Sequence, residues 1–124
     1  MILDEYNSLP ADLKLDARLA ITLGMVGIIY IPKYDPCQSI WVRGEYLGFD
    51  KNWKPRQDPA ILWGLTGERI DLLHEHMLGN WSCGLDRYQW VSGKTKEEAV
   101  IKAYCEADPN GHWAKWCKEN EVAV

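Results

Sequence analysis

The sequence predicts an α+β fold, a small α-β-α sandwich: a short antiparallel sheet packed by helices at about 10–24, 67–78, 95–107 and a short C-terminal helix. Three observations predict it. Apolar residues recur at helical spacing in several stretches, β-branched and aromatic runs lie between them, and glycine, proline and capping residues punctuate the joins. At 124 residues, 47% hydrophobic and 26% charged, the chain suits a single domain, 1–124, with its own core. Disorder, collagen and coiled coil are excluded, and so is a two-lobed enzyme with separate cofactor and substrate halves.

Pro10 and Asp12 mark a helix start and Gly24 its end. Leu13, Ala17, Ala20, Leu23 and Gly24 share one face, and Lys14, Arg18 and Thr22 form a polar stripe. Asp16 falls on the packed side, where a carboxylate needs a partner. Residues 26–31, Val-Gly-Ile-Ile-Tyr-Ile, read as a short strand. The stretch from Pro32 to Pro59 carries irregular connections around Ile40–Leu47, a strand or hairpin. From Asp58-Pro59 the pattern turns helical, with Leu62, Leu65, Ile70, Leu73 and Met77 on one arc and Gly79-Asn80 as the stop. Residues 81–85 and 87–91 read as a hairpin turning near Asp86. Thr95-Lys96-Glu97-Glu98 is a capping box opening a helix to about Ala107, whose face is Ala99, Val100, Ala103, Tyr104 and Ala107. After the turn cluster Asp108–Gly111, Trp113, Trp116, Cys117 and Asn120 share a face of the last helix.

Seven tryptophans are the compositional oddity. Trp63, Trp81, Trp90, Trp113 and Trp116 are expected to build the core, which leaves Trp41 and Trp53 as functional candidates. The formal charge is −4 and the pI about 5.3, without the basic face a duplex-binding domain needs. The N-terminus lacks a signal-peptide pattern and no apolar run approaches membrane length, so a cytoplasmic, non-membrane protein is expected.

Cys37, Cys83, Cys105 and Cys117 contain no CxxC pair and read as buried hydrophobes. A metal would have to gather Cys105, His112 and Cys117, with Cys83, His74 or His76; the close ligand pairs of structural zinc sites are missing, and no cofactor or metal is assigned. Gly93-Lys94-Thr95 lacks the first glycine of a Walker loop, where Tyr88 stands, and reads as turn plus N-cap. His74 and His76, if helical, point about 160° apart. Cys83 has no partner histidine in any known spacing, so no catalytic residue is assigned.

Leu15-Asp16-Ala17-Arg18-Leu19-Ala20 and Gly93-Lys94-Thr95-x-x-Glu98-Ala99, in this order and with a Trp-rich hairpin between them, resemble the phage ABA sandwich domain family. The resemblance runs from about residue 11 to 107 and departs at 32–59 and after Asp108. It implies an α-β-α fold and a bacteriophage or prophage origin, and it carries over no catalytic residue.

Two functional classes follow. The first is a non-enzymatic binding protein acting in the host bacterial cytoplasm on a host, defence-system or phage protein, with Arg43, Tyr46, Trp53, Lys54 and Arg56 as the partner-binding surface, because Trp, Tyr and Arg dominate interface hot spots. The second is a protein that sequesters a nucleotide, single-stranded nucleic acid or other small ligand by stacking. A zinc-dependent enzyme is a weaker third, and a homodimer interface would also absorb tryptophans.

Overall fold

The computed structural model describes residues 1–25, 27–28, 30, 40–43, 50–66, 69–77, 79–85 and 90–122. The contacts divide the chain into two compact units, Met1–Lys54 with Asn110–Val124, and Pro55–Pro109. The fold is α+β, and its three-stranded antiparallel sheet packed against a helix fits a small α-β-α sandwich.

The first unit opens with α1 (Leu3–Ser8), which sequence pattern does not announce, and α2 (Ala11–Thr22). Pro10 is the N-cap of α2, and a Schellman motif ends it: Met25 N–H donates to the Ala20 carbonyl and Gly24 N–H to that of Ile21. Gly24 supplies the left-handed backbone at φ +77°. The buried face is wider than the expected stripe, because Leu19, Ile21 and Thr22 join Leu13, Ala17 and Ala20. Thr22 is tolerated there because its hydroxyl donates to the Arg18 carbonyl at 2.7 Å. Asp16 is 1% exposed and engaged, as a carboxylate on that face has to be.

The strand expected at 26–31 is not formed by its described residues. Gly27 lies at φ +65°, a backbone that cannot continue a pleated strand, although Ile28 is buried. The stretch Ile40–Leu47 contributes one strand, β1 (Ile40–Arg43), which pairs antiparallel with β2 (Asp50–Trp53) beyond it; residues 44–47 lie outside the described residues. Helix α5 (His112–Glu119) packs on α2 in the same unit.

The second unit begins with a 3-10 turn, Pro55–Gln57, and α3 (Pro59–Thr66). Asp58 accepts from the Ala60 N–H at 3.1 Å, and Pro59 takes the first helical position, where no N–H is needed. The helix expected at 67–78 is instead a strand, β3 (Ile70–Met77), paired antiparallel with β4 (Asn80–Leu85). Register shifts at Ile70/Leu72 and Glu75/Met77 break strict alternation, so the apolar positions fell on a helical template. Gly79, at φ +77°, forms the hairpin turn and not a helix cap; the same left-handed residue serves either.

Strand β5 (Val91–Gly93) completes the sheet, with Trp81 opposite Gly93, Ser82 opposite Ser92 and Cys83 opposite Val91. The first arm expected, 81–85, falls in β4, whereas β5 starts at Val91, the last residue of the expected second arm; Trp90 is outside the strand and 86–89 lie outside the described residues.

Helix α4 (Lys96–Ala107) lies on this sheet. Its expected face is buried in full, joined by Ile101 and Cys105. One half of the capping box forms, with Thr95 Oγ1 accepting from the Glu98 N–H at 3.1 Å, a cap worth about 1 kcal/mol, while the Glu98 carboxylate meets the backbone N–H of Lys94. Glu98 is pulled up by burial, but the Lys102 ammonium at 2.9 Å and the backbone N–H and charge of Lys94 outweigh that and hold its carboxyl below the usual 4.5.

Gly93 fixes how closely α4 approaches. A Cβ there would lie 2.5 Å from the Ala99 nitrogen and 2.9 Å from its Cα. Gly93→Ala is therefore expected to cost about 1–3 kcal/mol in urea denaturation, while Ser92→Ala, at an exposed position next to it, stays within about 0.5 kcal/mol. A Glu98 carboxyl held low contributes stability above its unfolded value of 4.5 and loses it as pH falls through the lower folded value. The stability gap between wild type and Glu98→Gln should accordingly be present at pH 6 and shrink on acidification toward pH 3.

Candidate functional site

The surface expected from sequence does not assemble around its tryptophan. On β2 the alternation Asp50-Lys51-Asn52-Trp53 sets Trp53 opposite Ile40, and the two are 4% and 0% exposed. Trp53 is a core residue of its unit, because in a strand the polar residues on either side in sequence do not share its face. The Trp53 indole Nε1 is buried without a hydrogen-bond partner among the described residues. Lys54 is half-buried just after β2; Arg56 is half-buried in the 3-10 turn and engaged. Arg43 ends β1 opposite Asp50, its side chain outside the description, as is that of Trp41; Tyr46 lies outside the described residues altogether.

Sequence reasoning missed Trp90. Assigned to the core, it is 62% exposed and stands one residue before β5. Ser92, between Val91 and Gly93, is exposed although Ser82 opposite it is buried, and Trp90 precedes the strand, where no ladder partner among the described residues covers it.

Trp63, Trp81, Trp113 and Trp116 are each partly buried. Trp81 is half-buried in β4, and Trp63, in the middle of α3, has the Lys96 ammonium 5.8 Å from its ring centroid. Trp113 and Trp116 stack at 5.1 Å and 20°, with Tyr6 of α1 tilted against both at 5.7 and 5.3 Å. They dock the last helix as expected, and Arg18 of α2 lies 4.8 Å from the Trp113 centroid.

Nucleophilic and metal chemistry find little support. Cys83, Cys105 and Cys117 are buried and form no disulfide, and burial pushes the Cys83 thiol up to about 11. A thiol so placed is protonated at neutral pH and shielded from substrate. Cys37 lies outside the described residues. Among the described residues no three His, Cys, Asp or Glu side chains stand where they would hold a metal ion. The helical geometry assumed for His74 and His76 is corrected, since both lie on β3; His74 is exposed opposite Ser82, and the His76 side chain is outside the description. Gly93-Lys94-Thr95 acts as close contact and N-cap.

Among the described residues no helix is long and apolar enough to cross a membrane. Comparison of the chain with protein-family models, curated proteins and solved structures gives no match.

With Cys37→Ser removing the fourth thiol, no rapid reaction with a thiol reagent is expected at pH 7.5, and three equivalents should react in denaturant. Rapid modification of the folded protein would restore a cysteine-based reading.

Proposed function

We propose that this chain is a non-enzymatic binding protein of bacteriophage origin that acts on a protein partner in the host bacterial cytoplasm, as an inhibitor of a host or defence complex. The observation that carries this reading is Trp90, an indole 62% exposed next to a strand whose inner side is occupied by α4. Tryptophan is the side chain that interfaces use most as an anchor. Burying the exposed part of one indole releases on the order of 2–4 kcal/mol, a hot-spot magnitude. The motif resemblance to a phage family supports the origin. Cys83 is buried, which argues against its use as a nucleophile.

Trp53 drops out as an exposed anchor because it is buried. Arg43, Tyr46, Lys54 and Arg56 stay as positions to test for polar rim contacts, which tune association rate more than affinity.

The test starts from the protein that copurifies with a tagged copy in host cytoplasm and measures its affinity by calorimetry. Trp90→Ala is expected to weaken binding about 30-fold or more, the equivalent of 2 kcal/mol, while its melting temperature stays near that of wild type. Equal affinity of wild type and variant removes Trp90 from the interface. A nucleotide that raises the melting temperature, with no protein captured, would replace the protein-partner reading by ligand sequestration.

A further inference from the structure

Helix α1 is held to its unit by few contacts. None of its six residues is buried, and its N-cap, Ile2, offers no side-chain hydrogen bond. A helix this short has no stability of its own in water. Among the described contacts that hold it are aromatic ones: the Tyr6 ring rests against Trp113 and Trp116, the Lys14 ammonium lies 5.8 Å from the Tyr6 centroid, and Trp116 Nε1 donates to the Met1 carbonyl at 2.9 Å. The boundary with α2 is firm. Leu9, just after α1, is 5% exposed, and Pro10 fixes the first turn of α2 at φ −56°.

We infer that α1 is a releasable strap, which opens by local unfolding up to Leu9 while α2 and α5 stay folded. Opening removes Tyr6 from two stacked indoles beside the Arg18 guanidinium, so α1 acts as an internal occupant of that aromatic surface. Indole and guanidinium are the groups interfaces favour, and opening of α1 exposes further these partly buried side chains. The inference is independent of the Trp90 reading, since it concerns another unit and its test needs no partner.

The physical basis is the uneven distribution of burial. Opening α1 exposes one aromatic contact set and no buried residue of the helix, whereas opening α2 would expose Leu13, Asp16, Ala17, Leu19, Ala20, Ile21 and Thr22. Leu9 and Pro10 stop the opening from propagating.

Amide exchange on the full chain tests this. The bonded amides of Tyr6 and Leu9, which donate to the Ile2 and Tyr6 carbonyls, should exchange at least about a hundredfold faster than those of residues 15–22. Equal protection would overturn the strap. In protein labelled with 5-fluorotryptophan, Tyr6→Ala should shift the fluorine resonances of Trp113 and Trp116, assigned through Trp113→Phe and Trp116→Phe. The other five should stay in place and the protection of α2 should be unchanged. Loss of α2 or α5 protection in that variant, or resonances that do not move, would show that α1 is part of the cooperative core or covers nothing.

Discussion

The close approach of Gly93 to the first turn of α4 is the constraint on which the rest of the second unit depends. A hydrogen in place of a side chain lets β5 meet the Ala99 backbone, and that contact fixes which side of the sheet is inward. Two residues later Thr95 caps the same helix, and Glu98 binds Lys102 one turn along it. Lys102 in turn reaches back to the Ser92 carbonyl at 3.4 Å. A turn, a cap, an ion pair and a strand thus close on one another within ten residues of chain. The cap and the ion pair are local to the helix, while the Gly93 contact and the Lys102–Ser92 bond tie that helix to the strand.

The tryptophans divide along the same physical lines. Where an indole lies across a strand pair from another buried residue, as Trp53 does from Ile40, it becomes core. Where two indoles stand at i and i+3 of one helix, as Trp113 and Trp116 do, they stack and recruit Tyr6 and Arg18. Trp90 has neither arrangement and stays exposed. Compositional excess of one residue type therefore said little about function until each copy had a place.

The legible parts of the fold were those with local causes. The end of α2 at Gly24, the Thr95 cap of α4 and the face Ala99–Ala107 follow from neighbouring residues alone, and they are found as expected. Strand β3 was illegible because its two register shifts disrupt the period of two, and because Gly79 is equally at home in a helix stop and a hairpin turn. Among the described residues of 26–31 no strand forms, and Gly27 has a left-handed backbone that no apolar count reveals. For the site, the polarity around Trp53 pointed outward, but strand alternation sends sequence neighbours to opposite faces.

By itself the sequence determined the α+β class, the termini of α2 and α4, the mild acidity and the absence of a recognisable catalytic motif. These depend on interactions within a few residues, which the chain carries wherever it is placed. Tertiary structure alone decided which tryptophan faces solvent, that Asp50–Trp53 turns Trp53 inward, and that α1 rests on the Trp113–Trp116 pair. Those outcomes depend on pairings between residues far apart in the chain, up to the bond from Trp116 to Met1, and no local pattern encodes them.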